Sequence, residues 1–379
     1  MIRTVLSTAA ALAAAFCLPA SATEPESDPY APAREIIADM NRIVTPDGVE
    51  ETFVATLGGA KQVVNVRGTD RDNPVLVFVH GGPGAVEMPF AWTFQRPWED
   101  FFTVVHYDQR GAGRSYSLNP PEALAPTMTL ERYRDDAIEL IELLQERYGK
   151  RKVVLMGHSW GSFVGLAVAV ERPDLLHAYV GVGQGIDFRE GEKVGMAWTR
   201  VKALAAGDEE AVAAIDALAP YPMAGPFTIE QADGWRQYAM PYGSLLYNRP
   251  PAETLYFHQP RLSPLYTAAD RKAWGEGSAF TVTTLWPRLA DVSFADVERV
   301  EVPLVFLLGR HDYTVPSPVA AEWLGEVQAP SKELVWFEHS AHMPMFEEPG
   351  LFLAALLREV VPLTTDATRA SANAHPKGS

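Results

Sequence analysis

Residues 75–79, 102–107, 153–156, 179–182 and 304–308 are short segments that are apolar or β-branched at nearly every position. Such a run has no polar face to turn to water. A strand made from it must be covered on both sides, as in a parallel sheet flanked by helices. Between the second and third runs, residues 130–148 carry a helical pattern, with Tyr133, Ala137, Ile138, Ile141, Leu144 and Tyr148 on one face. Gly149 is placed to end that helix. Residues 51–57 and 61–67 flank Gly58-Gly59 and read as a hairpin. A helical stretch over 316–327, a strand over 333–337 and a helix over 350–360 continue the alternation. The pattern predicts an α/β fold with a mostly parallel central sheet and right-handed crossovers.

The rhythm stops between residues 186 and 296. That segment is rich in helix formers and aromatics, Trp198, Trp235, Trp274 and Trp286 among them, and holds no run suited to a buried strand. It predicts a helical cap domain inserted over 186–296, dividing the α/β core into residues 23–185 and 297–362. Residues 1–22 read as a secretory signal peptide: Arg3, an apolar stretch over 5–18, then Ala20-Ser21-Ala22 with cleavage after Ala22. Its apolar part is too short for a membrane anchor. Cleavage would remove Cys17, the one cysteine of the chain, which suits an oxidising compartment. The expectation is a periplasmic or secreted protein with no membrane insertion once the leader is gone. Residues 363–379 are polar and small and read as a disordered tail. With 32 basic against 48 acidic side chains, the net charge of −16 repels phosphate backbones and argues against a nucleic-acid partner. Oligomeric state is left open.

Residues with chemical potential gather just after the predicted strands. Gly157-His158-Ser159-Trp160-Gly161 lies between the run 153–156 and a helical pattern over 163–170. A G-x-S-x-G in that setting makes a sharp turn that lifts a serine out of the strand, close to a helix N-terminus that favours developing negative charge. His80-Gly81-Gly82-Pro83-Gly84 follows the run 75–79, and its glycines let backbone N–H groups face a cleft. Asp312 ends Gly309-Arg310-His311-Asp312, after the run 304–308. An acid there can orient an imidazole. His342 and His339 both follow the strand over 333–337. His342 is favoured as the base, being deeper in the loop and ahead of Met343-Pro344. The chain order Ser159, Asp312, His342 is one that supports acyl transfer. Gly82 N–H and Trp160 N–H are the candidate oxyanion donors. Gly181-Val182-Gly183-Gln184-Gly185 lacks dinucleotide spacing, no HExxH or P-loop occurs, and no metal or organic cofactor is expected.

The motifs HGGPG (80–84), DQRGAGRS (108–115), GHSWGS (157–162), GRHD (309–312) and SAHMPMFEEP (340–349) together resemble the prolyl aminopeptidase (proline iminopeptidase) family of serine peptidases. The resemblance implies an α/β-hydrolase fold with Ser159 as nucleophile, Asp312 as acid, His342 as base, and Gly82 and Trp160 around the oxyanion. It implies a helical cap over a hydrophobic pocket, with cap carboxylates gripping a substrate's free amine. Glu87, Glu190, Glu192 and Glu230 are candidates for that grip, each also readable as a solvated surface acid. Asp108, Arg110 and Arg114 read as a salt-bridged turn behind HGGPG. The chain departs from the family pattern at His158, where glycine is usual, and at Ala85-Val86-Glu87, where further glycines are common.

The function expected is release of N-terminal residues from small peptides through an acyl-enzyme. Two other readings fit the same residues: an esterase or small amide or lactone hydrolase with the same triad, and a non-catalytic binding protein on a hydrolase scaffold.

Overall fold

The computed structural model describes residues 28–249 and 254–364. The leader read over 1–22, and the tail read over 363–379 from residue 365 onward, lie outside the described residues.

The predicted runs form one eight-stranded sheet: β1 (Val49–Leu57), β2 (Ala60–Gly68), β3 (Val75–Val79), β4 (Thr103–Tyr107), β5 (Val153–His158), β6 (Leu176–Val182), β7 (Leu304–Gly309) and β8 (Lys332–Phe337). Their order is β1-β2-β4-β3-β5-β6-β7-β8. β1 and β2 are an antiparallel hairpin, β2 pairs antiparallel with β4, and the remaining pairs are parallel. Alternate side chains of each central strand enter two different cores. Val75, Val77, Val79, Val153 and Leu155 join one cluster, while Leu76, Phe78, Val154 and Met156 join the other. Both faces are dry, which is why these strands read as unbroken apolar runs rather than alternating ones. Each such side chain contributes about 1.5–3 kcal/mol by leaving water.

β3 and β5 are neighbours, yet the chain leaves β3 toward β4 on one side and arrives at β6 on the other. Loops leaving their C-terminal ends therefore diverge and open a crevice. Register places Val79 opposite Gly157 and His158 opposite Val182, so the three loops beyond begin side by side.

The helix between β4 and β5, α1 (Leu130–Tyr148), starts at Thr129, whose hydroxyl accepts the Arg132 N–H, and ends at Gly149 with φ 66°. Its buried face includes Leu140 and Asp136, which the apolar pattern did not select, whereas Ile138 and Tyr148 are only partly buried. Asp136 is buried because Arg110 reaches it with two hydrogen bonds, at 2.6 and 2.8 Å, and Gln62 adds a third at 2.8 Å. The turn behind HGGPG is held only in part as the sequence suggested: Arg114 pairs with Asp108 at 3.5 Å, but Arg110 does not join them. Arg110 serves α1, and Asp108 is met by the Arg114 N–H and by the Tyr266 hydroxyl at 2.5 Å. Asp136→Ala would strand the Arg110 charge in the interior, and the urea midpoint should report a loss of about 3–5 kcal/mol.

Helix α2 (Trp160–Glu171) follows β5 directly. After β6 come α3 (Phe188–Ala206), α4 (Glu209–Asp216), α5 (Ile229–Ala239) and α6 (Ala268–Leu285), and no sheet strand lies between β6 and β7 among the described residues. A bridge between Asp187 and Ser293, with Phe294 N–H on the Ile186 carbonyl, closes the neck of this excursion. α7 (Ser317–Glu326) leads to β8. The helix read over 350–360 is regular only as α8 (Pro349–Ala355), then widens and tightens through Thr364. Pro362 has no N–H to offer and crowds the carbonyl one turn back, which ends regular winding early.

Candidate active site

Ser159 sits between the last residue of β5 and the first of α2, with φ 55° and ψ −123°. A side chain in this region of backbone space costs about 1–3 kcal/mol and persists only when the surroundings enforce it. They do so here: the Ser159 N–H bonds the Val182 carbonyl at 3.0 Å, and the Ser162 hydroxyl and N–H return to the Ser159 carbonyl. Gly161 permits the turn, because a Cβ there would lie 2.0 Å from the Val79 carbonyl oxygen. The hydroxyl is thereby presented at the crevice rather than along the strand.

Asp312 follows β7 and is fully buried. One of its oxygens accepts the Val315 N–H at 2.9 Å, and the other lies 2.7 Å from His342 Nδ1. A carboxylate accepts, so Nδ1 carries the ring proton and Nε2 is left with a lone pair. The His342 N–H bonds the Leu245 carbonyl at 3.1 Å. Its ring rests against Gly183, where a Cβ would stand 2.8 Å from the imidazole. The segment 181–185, without a dinucleotide reading, thus serves as a floor for this side chain. Burial pushes the His342 pKa below the ordinary histidine value. The Asp312 charge and hydrogen bond oppose this, and His158 and Arg236 add to it. His339, the competing histidine, is exposed.

Sequence reasoning missed what holds the His342 loop. Glu347 accepts N–H bonds from Ala341, Met343 and Tyr247, and Glu348 holds the His339 N–H and Ser340 hydroxyl. Glu-Glu-Pro at the end of the motif was the available signal. Burial raises the Glu347 pKa to about 7 against those three bonds.

Ser159, Gly82 and Trp160 line one cavity of about 640 Å³, counting its open mouth. Trp160 opens α2, where a helix has no carbonyl for its first amides, so its N–H is available to an oxyanion. Other walls are Phe163, Ile186, Phe188, Trp286, Val315 and Val319, apolar or aromatic, with Asp187, Glu192 and Arg236 as charged members.

The four candidate glutamates separate. Glu230 is exposed, and Glu190 pairs at the surface with Lys193 at 2.8 Å. Glu87 and Glu192 are not solvated acids, with 2% and 1% of their surface exposed. Glu192 reaches the cavity, but Arg236, the Tyr221 hydroxyl and Trp235 Nε1 (2.9 Å) already converge on it. Glu87 lies behind the site, on His158. Asp187, which no motif marked, caps α3 through one oxygen and also lines the cavity. Arg236 donates to the Thr314 carbonyl at 3.2 Å, and Trp198 of α3 stacks on Tyr313 with ring centroids 4.5 Å apart. Two of the inserted helices, α3 and α5, are thus fastened to the two residues that follow Asp312.

A serine raised on a strand-to-helix turn at the switch point of a mostly parallel sheet, with an acid and a histidine joined beyond two later strands, defines the α/β-hydrolase class. The chain belongs to the alpha/beta hydrolase family, which matches residues 76–356. It is a hydrolase of prolyl aminopeptidase-like sequence. It is 31% identical over 316 residues to the probable aminopeptidase YbaC of Bacillus subtilis, covering 80% of this chain and 94% of that one. It is 38% identical over 109 residues to the proline iminopeptidase of Neisseria gonorrhoeae, which is 29% of this chain and 32% of that one. Its fold is shared with the proline iminopeptidase of Mycobacterium smegmatis at a TM-score of 0.59 and 19% identity, over 83% of this chain and 98% of that one.

Proposed function

We propose that this hydrolase is a serine aminopeptidase that releases N-terminal residues from small peptides, proline among its candidates. The observation that carries the reading is the 2.7 Å Asp312–His342 hydrogen bond, with the His342 ring against Gly183, next to the Val182 whose carbonyl holds the strained Ser159 turn. His342 Nε2 takes the proton of Ser159 as the oxygen attacks the acyl carbonyl, and Asp312 keeps the ring oriented and stabilises it once charged. The N–H groups of Gly82 and Trp160 receive the oxyanion. His342 then protonates the leaving amine, the acyl group stays on Ser159, and water releases it by the same path in reverse. None of these steps calls on a metal or an organic cofactor. Residues 186–296 act as the cap, and the leader read over 1–22 supports a periplasmic or secreted enzyme.

The cavity supports an exo-acting preference. Carboxylates at Asp187 and Glu192 stand among apolar walls, which suits a side chain beside a charged terminus. One observation favours the esterase alternative: the charge of Glu192 is already met by Arg236. Pro-, Ala- and Leu-anilides, their N-acetylated forms and short acyl esters separate the two. The free-amine anilides should be cleaved about 10- to 100-fold better than the acetylated ones, the worth of a hydrogen bond to a charged group. Turnover of the esters alone would establish the alternative.

A further inference from the structure

Behind His342 lies a polar pair buried at the C-terminal ends of the central strands β3 and β5. His158 Nδ1 is 2.5 Å from Glu87 Oε1, and His158 Nε2 is 3.0 Å from the main-chain oxygen of His342. Both side chains are buried, and the His158 and His342 rings lie 4.7 Å apart between centroids. The Gly81 N–H donates to both oxygens of Glu87. Each nitrogen of His158 therefore faces an acceptor, and only the doubly protonated ring satisfies both. Both partners fall at places where this sequence leaves the pattern of the family it resembles.

We propose that Glu87 and His158 form a buried ion pair that pins the main chain of His342 and sets a fixed positive charge against its ring, keeping the base uncharged between turnovers. Both are positioning residues, since His158 acts on the main chain and ring of His342 and Glu87 acts through His158. The positive end of the pair faces His342 and the negative end lies beyond it. Burial alone would discharge His158, but Glu87's charge and hydrogen bond, the His342 carbonyl and Asp312 outweigh it and hold its pKa above the ordinary value. The other groups facing the pair are His80, His106 and Tyr256. Burial holds His80 and His106 low, His106 at about 4, so neither competes for the charge. Facing His342 are Asp312 and Arg236, with Glu347 across its loop.

The inference rests on His342 being the base of the proposed reaction. Two measurements on the full chain test it. Nitrogen-15 NMR of the resting enzyme should show both ring nitrogens of His158 protonated at a pH where free histidine is neutral; a singly protonated ring overturns the proposal. Glu87→Gln keeps the shape and lets the amide donate to a neutral His158, so it removes charge while preserving hydrogen bonds. With the cation gone, His342 protonates more easily. The acid limb of kcat/KM should then move up by about one pH unit or more, while Glu87→Asp leaves it near the wild-type position. The position of that limb is read, not the height of the plateau. An unmoved limb in an enzyme that still depends on Ser159 overturns this inference alone, whereas turnover that survives Ser159→Ala overturns the reading beneath it.

Discussion

Ser159→Ala should lower kcat/KM on the best anilide by about 10⁴–10⁶, the scale of losing a nucleophile whose partners act as a unit with it. The fold should survive, because the serine side chain makes no hydrogen bond that holds the turn. The turn is held by main-chain contacts to Val182 and by Ser162. Ser159→Gly sharpens the test. It should be equally inactive, yet relief of the φ 55° strain exceeds the extra freedom glycine gains when unfolded, for a net gain of about 1 kcal/mol. Thermal denaturation beside the activity assay reads both. An active alanine variant would remove Ser159 from the mechanism. A glycine variant less stable than wild type would show that the turn stores no strain.

Asp312→Asn should cost about 10⁴ in kcat, the loss typical of a triad acid replaced by its amide. The two side chains have the same shape, and the remaining oxygen can still accept the Val315 N–H, so circular dichroism should be unchanged. The amide N–H would instead face His342 Nδ1 and drive the ring proton to Nε2, the atom required to accept from Ser159. Raising the pH cannot restore activity, because the fault lies in the location of the proton rather than in its number. A variant retaining more than about a tenth of wild-type kcat would place the orienting role elsewhere.

The strands were legible because both sheet faces are dry, which makes each strand an unbroken apolar run. The serine turn was legible because strand, glycines and helix are adjacent in sequence. Asp312 and His342 could be named because each directly follows a strand. What sequence could not show are pairings between buried polar groups, which follow no period. Glu87 and His158 are 71 positions apart, and Arg110 finds Asp136 on a helix whose apolar stripe gives no hint of a charge among it. Glu192 looked like a surface acid because its three partners, Tyr221, Trp235 and Arg236, come from a later part of the chain.

Arg236 and Trp198 both grip the residues just beyond Asp312. Swinging the inserted helices aside would break a charged hydrogen bond worth about 1.5–3 kcal/mol and pull on the strand end that carries the acid. Traffic by that route would disarm the machinery each time it admitted a guest. If the proposed function holds, a doorway fastened in this way avoids that penalty and would sort arrivals by girth, passing a slender chain end and turning away a folded loop.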